Sequence, residues 1–305
     1  YQDKRNDIIN VKDKVIEFET GNVLIGSVSR LYMSNKCLLI ADHKSVDKQI
    51  HIFNKNDFSY LTSIGNFGEG PEEITVMGCL AIDEAHHQLY VSDHAKQKIF
   101  SYDMDSVMVD SLYKPQVKTA MNETLFPSEY QYINDTLSIA VLIKPTSTST
   151  FNQFLGRWNM NTGEMIPMKY THPDIQKKRI TFAASEKAGI YVECYTRHDL
   201  MTICSLDGEL LYNIYGPDWD GGNGNKLQSF GTVMIGNDKI FVSYCGEDYA
   251  RDSFPTKILV FDLEGNYLKT LETGYKISDC CYDSFNNRII LSLNDVVQFA
   301  YLDID

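Results

Sequence analysis

Ile64-Gly65-Asn66-Phe67-Gly68-Glu69-Gly70-Pro71-Glu72-Glu73-Ile74 separates two runs with strand character, 58–63 before it and 77–82 after it. Gly65, Gly68 and Gly70 permit backbone angles that other residues resist, and Pro71 stiffens the exit. The stretch reads as a shaped connector that carries the chain from one sheet to the next. A glycine-rich loop that cradles phosphate would need a helix after it, and no helical pattern follows.

On either side of this connector one motif recurs about every fifty residues: a short apolar strand, a polar gap, then a second strand of alternating apolar residues. The first members are 38–42, 88–93, 137–142, 189–194, 239–244 and 288–293, and their partners are 49–54, 98–103, 154–160, 200–206, 257–263 and 296–302. Each partner but the last runs into a polar turn, namely Asn56-Asp57, Asp105-Ser106, Asn161-Thr162-Gly163, Asp207-Gly208 or Glu264-Gly265-Asn266. These are hairpin signals. Edge strands are expected after them at 58–64, 107–113, 165–170, 209–215 and 267–272, and another strand precedes each first member.

Four antiparallel strands per copy, repeated six times, predict an all-β, six-bladed β-propeller. The expected blades are 26–65, 76–113, 126–170, 179–216, 228–273 and 277–305, in a single domain spanning 1–305. Long amphipathic helix patterns are missing, which excludes α/β folds. The last copy stops after its third strand, while 14–19 has strand character and no blade of its own. That segment is expected to supply the outer strand of the sixth blade and so close the ring without a free sheet edge.

Composition supports a large core: 305 residues, 43% hydrophobic and 12% aromatic. A net charge of −13 repels a phosphate backbone over most of the surface, and no basic stripe offsets it, so no nucleic-acid partner is expected. The seven cysteines lie mostly in apolar runs without CxxC spacing and read as small buried fillers, reduced rather than bridged. No segment has the apolar length of a membrane span. The first residue is Tyr1 rather than Met, so the sequence is silent on a leader.

Gly65-Asn66-Phe67-Gly68-Glu69-Gly70-Pro71-Glu72-Glu73 resembles the Gly-x-Gly-Pro-x-Glu signature of a six-bladed propeller family of exported proteins from gut Gram-negative anaerobes, itself similar to NHL-repeat and TolB-like propellers. The resemblance covers nearly the whole chain. It implies export to the periplasm or cell envelope, with a lipid anchor as one form of attachment.

In a blade of this topology the loop between the second and third strands emerges on the same side as the blade-to-blade connector, and function is expected there. Those segments hold Arg30, His43, His94, Tyr130, Arg179, Arg197, His198, Trp219, Glu247, Asp248 and Arg251, which form the candidate ligand-binding set. His43, His94 and His198 occupy comparable positions in three copies, but a zinc or proton-relay site would need all three to reach inward. The run 218–225 mixes oxygen ligands (Asp218, Asp220, Asn223, Asn225) with glycines in a way that suits calcium, yet lacks the bidentate Glu of an EF-hand loop. Trp219 offers a stacking platform for a sugar or peptide.

No Gly-x-Ser-x-Gly is present. Calcium-dependent lactonase and strictosidine-synthase-like propellers resemble this fold and place metal ligands near the channel. At the entries of the inner strands only Glu129 and Asp279 match that pattern. The expected function is a non-catalytic scaffold, monomeric and without metal or cofactor, that binds a peptide, glycan or envelope protein. The competing reading is a divalent-metal hydrolase or lyase acting at the central channel.

Overall fold

The computed structural model describes residues 4–224 and 226–305. Six antiparallel sheets follow one another along the chain. The first comprises Ser29–Met33, Cys37–Asp42, Lys48–Asn54 and Tyr60–Asn66. The second comprises Met77–Asp83, Gln88–Asp93, Lys98–Asp103 and Gln116–Ala120. The third has Phe126–Asn134, Leu137–Pro145, Phe151–Trp158 and Met165–Pro167. The fourth has Ile180–Ser185, Ile190–Tyr195, Leu200–Ser205 and Leu210–Tyr215. The fifth is built from Leu227–Ile235, Lys239–Asp248, Lys257–Asp262 and Tyr267–Glu272. The sixth is built from Ile277–Asp283, Arg288–Leu293, Phe299–Asp303 and Ile16–Glu17. These are the six blades of a β-propeller.

The chain forms two compact units: an early one, Glu19–Met168, with the first three sheets, and a late one, Tyr1–Phe18 with Lys169–Asp305, with the last three. Strands such as Cys37–Asp42, Ile190–Tyr195 and Arg288–Leu293 are buried along their whole length. That is why they read as continuous apolar runs: both faces of a sheet inside a stack are covered. In the early unit Leu39, Ile52 and Leu80 belong to one core between the first two sheets, and Tyr90, Leu142 and Trp158 to the next. In the late unit Val192, Ile203 and Phe261 pack between the fourth and fifth sheets, and Ile258, Leu291 and Leu302 between the fifth and sixth.

The glycines of the opening stretch have a physical reason. A Cβ on Gly68 or on Gly70 would lie 2.5 Å from the Glu73 carboxylate, which folds back over them and accepts from Gly70 N at 2.9 Å. Gly68 also has φ +157° and Gly65 φ +77°, conformations that glycine adopts without a Cβ clash. The Gln49 amide donates to Ile74 O at 3.1 Å, Thr75 Oγ1 donates to Gly68 O at 2.7 Å, and Lys96 donates to Gly70 O and Glu73 O. The connector is a fixed object.

The chain ends join as the sequence predicts. Ile16 pairs with Tyr301 and Glu17 with Ala300, so the N-terminal segment is the outer strand of the sixth sheet. Two features differ from expectation. The segment 107–113 is not the edge strand of the second sheet: Met104–Val109 is a helix capped by Asp103, whose carboxylate accepts from Ser106 N at 2.9 Å, and the edge is Gln116–Ala120. Met104, Val107 and Met108 fall at helical spacing on the core between the first two sheets. The second is a fifth strand in the fifth sheet, Ile8–Asn10, which runs parallel to Tyr267–Glu272 with Ile8 opposite Thr270.

Candidate functional site

In the first, second and fourth sheets the loop after the second strand is tied by a backbone hydrogen bond to the segment at the entry of its own sheet. His43 N donates to Val28 O at 3.3 Å and His94 N to Val76 O at 2.9 Å in the early unit; Thr196 N donates to Arg179 O at 3.0 Å in the late one. The candidate residues therefore fall into two groups.

In the early unit the group gathers at Gly78. His43 Nε2 lies 3.2 Å from Gly78 O, and the His94 ring rests on Gly78 itself, where a Cβ would come within 2.1 Å of Nε2. His94 also meets Phe126 edge-on at 5.8 Å. Burial pushes both imidazoles below their ordinary pKa, and the Arg30 charge adds to the effect on His43. Arg30 pairs with Glu129, joining the first strands of the first and third sheets, and its guanidinium stacks 5.4 Å from the Tyr32 ring. Tyr130 is core: it is buried, with its ring perpendicular to Trp158 at 5.0 Å.

The late unit gathers the rest. The Arg197 guanidinium lies 3.7 Å from the centre of the Tyr249 ring, a cation–π contact on an exposed aromatic. Beside it Arg251 pairs with Glu247 at 3.4 Å, and Asp248 caps a short turn by accepting from Ala250 N at 2.9 Å. Glu247, Arg251, Phe254, Lys257, Glu272 and Lys276 line a cleft of about 620 Å³ with charges of both signs. Arg179 donates to Lys178 O at 2.7 Å, and Lys178 forms a buried ion pair with Glu193.

His198 and Trp219 are inward members of this group, not solvated loop residues. Trp219 is half-buried, with ring centres 4.9 Å from Tyr215, 5.5 Å from His172 and 6.0 Å from His198. His172 Nε2 is 2.8 Å from the Tyr215 hydroxyl. The glycines of the Trp219 connector let its backbone approach: a Cβ on Gly224 would lie 2.1 Å from His198 Cε1, and one on Gly216 2.1 Å from the Asp199 carboxylate. Its aspartates have partners of their own. Asp218 accepts from the Tyr244 hydroxyl at 2.8 Å and Asp220 from Gly224 N at 2.8 Å, while Asn225, the last residue of the calcium-like run, lies outside the described residues. His43 and His94 share Gly78 in the early unit, and His198 belongs to the aromatic cluster of the late unit.

Sequence reading missed His172, Tyr215 and Tyr244, because a single histidine or aromatic in a loop or strand carries no spacing signal. It also missed Arg5, which reaches Asp199 from near the N-terminus.

A likeness in fold extends over the whole chain. A protein of Bacteroides fragilis described as exported shares 14% identity at a TM-score of 0.60, covering 93% of this chain and 85% of that one. A member of the duf4221 family from Bacteroides vulgatus shares 11% at a TM-score of 0.60, covering 95% of each chain. The WD40 repeats of RRP9 share 10% at 0.63, covering 96% and 98%. No curated protein matches the sequence. The family model for DUF5128, a 6-bladed β-propeller, matches residues 2–154. The chain is thus a member of the DUF5128 family of six-bladed β-propellers.

Proposed function

We propose that the protein is a non-catalytic recognition module of the cell envelope, acting as a monomer, which binds a peptide, glycan or protein partner through the loops of its late unit. The observation that carries this reading is the mixed-charge cleft beside the Arg197–Tyr249 platform. Charges of both signs next to exposed aromatic faces suit a polar ligand with its own charges, which favours a peptide segment over a neutral glycan. Glu247, Asp248, Arg251 and Tyr249 are exposed and hold one another in ordered turns, so the surface is formed before a ligand arrives.

The exported neighbour from Bacteroides fragilis supports the envelope placement. No helix among the described residues is long and apolar enough to cross a membrane. The test is an array of short peptides and glycans probed with wild type and with Arg251→Glu combined with Lys257→Glu. Charged peptides that bind wild type and lose binding to the variant support the reading; equal binding by both overturns it.

A further inference from the structure

The turn between the first two strands of the second sheet, Asp83-Glu84-Ala85-His86-His87-Gln88, has a counterpart in the sixth sheet, Asp283-Ser284-Phe285-Asn286-Asn287-Arg288. The two share one backbone design. Asp83 pairs across the strands with Gln88 and Asp283 with Arg288, and the fifth residue has positive φ in both, +53° at His87 and +48° at Asn287. In both the aspartate accepts from the fourth residue twice. His86 gives its backbone N–H at 3.2 Å and Nδ1 at 2.7 Å; Asn286 gives its backbone N–H at 3.2 Å and Nδ2 at 2.7 Å.

Charge separates them. In the sixth sheet the Arg288 guanidinium lies 3.5 Å from the Asp283 carboxylate, with both side chains closed to solvent (9% and 0% exposed). The second sheet has Gln88 at that position, and its amide donates to Asp103 at 3.1 Å instead. Asp83 is equally buried, at 1% exposure, and among the described residues its counter-charge is not a guanidinium but the exposed His86 imidazole at 2.7 Å, a cation only when protonated. A buried carboxylate without a fixed cation is costly. A second carboxylate adds to the deficit: Asp135, from the matching turn of the third sheet, lies 3.9 Å from His86 Nδ1.

We propose that Asp83, His86 and Asp135 bind a divalent transition-metal ion of the zinc class. One carboxylate oxygen of each aspartate and the imidazole nitrogen lie within 4.8 Å of one another, close enough to share one ion. One nitrogen and two carboxylate oxygens suit zinc and its neighbours, whereas calcium and magnesium take six or more oxygens. On binding, His86 gives up its Nδ1 proton to solvent and presents a lone pair where it now meets Asp83. The hydroxyls of Tyr90 and Tyr132 donate to Asp83 at 2.7 Å and to Asp135 at 2.6 Å, which orients both carboxylates from behind. On the open side lies a cleft of about 410 Å³ lined by Gln88, Lys118 and Asn161 as well as by His86 and Asp135. It leaves further coordination positions to water.

The test is calorimetric titration of zinc chloride into chelator-stripped protein. Wild type takes up one equivalent. His86→Asn rebuilds the sixth-sheet turn, so it keeps the fold and loses zinc. Gln88→Arg supplies the missing guanidinium and also loses it. Tyr132→Phe weakens affinity about tenfold. His87→Asn, at the neighbouring exposed histidine 3.3 Å from Asp105, leaves affinity unchanged. No uptake by wild type, or equal uptake by His86→Asn and Gln88→Arg, overturns the proposal.

Discussion

Arg5 and Asp199 stand 194 positions apart in the chain and meet at 2.6 Å, with side chains 6% and 0% exposed. The Arg5 guanidinium also lies 5.5 to 5.7 Å from the rings of Tyr244, Phe230 and Phe261, and the Asp199 carboxylate accepts from Asp218 N at 3.0 Å. One ion pair thus links the N-terminal segment to the loop that carries Arg197 and His198. Removing one partner of a buried pair costs about 3–5 kcal/mol, because the other charge is left unpaired in the interior. Arg5→Ala is expected to lower stability by that order in denaturant unfolding. A loss under about 1 kcal/mol, the range of a surface pair, would show that Asp199 is compensated elsewhere.

The N-terminal segment adds a strand to the fifth sheet and another to the sixth. Deleting residues 1–20 removes both, exposes the outer edges of Tyr267–Glu272 and Phe299–Asp303, and unpairs Asp199. Thermal unfolding and light scattering should show a lower melting temperature and self-association through the bared edges. A truncated protein that stays monomeric with unchanged melting would contradict the edge argument.

Acid should destabilise the protein. Burial lowers the pKa of five histidines, His43, His51, His94, His172 and His198. As pH falls through about 6.5 the unfolded chain takes up protons that the folded one refuses, so stability present above that pH is lost below it. His86 has its pKa raised by Asp83 and acts in the opposite direction, but it is exposed and one against five. The urea midpoint should fall between about pH 7.5 and pH 5.5, on either side of the reference imidazole value. A flat midpoint would mean that the rings are hydrated.

All seven cysteines are free, and six of them are buried. Burial pushes the thiols of Cys194, Cys280 and Cys281 well above their ordinary pKa. Native protein should therefore react with few equivalents of an aromatic disulfide reagent at neutral pH and with all seven after denaturation. Rapid labelling of most thiols before unfolding would count against these packed cores.

Strand pairs were legible in the sequence because buried second and third strands must be apolar along their length, and the turns that follow the third strands are rich in Gly, Asn and Asp. Closure by 14–19 was legible for a different reason: the last copy lacked a strand and one strand lacked a sheet. The helix at Met104–Val109 was hidden because Val107 and Val109 are also spaced as on one face of a strand; the better signal was Asp103 at the cap position, whose carboxylate accepts from Ser106 N. Gln116–Ala120 is polar and exposed, so no burial pattern announced it. Ile8–Asn10 is three residues long, too short to carry a period.

The candidate binding residues were legible only as loops. That Arg197 would lie over Tyr249 and His198 against Gly224, or that Tyr130 would turn into the core, depends on contacts between sheets that spacing does not encode. No spacing signal marks Asp83 or Asp135 in the sequence; only comparison with Asp283 and Arg288 shows that one turn has an imidazole where the other has a guanidinium.

Recognition through the late-unit loops is tested most directly by hydrogen–deuterium exchange with a charged peptide selected from the array. Protection is expected in 196–199 and 245–256, and binding should weaken about fivefold on Arg197→Ala combined with Tyr249→Ala, the loss of an exposed cation–π pair and its contacts. Protection confined to the turns around Asn56, Asp105 and Gly265, with full binding by the double variant, would contradict it.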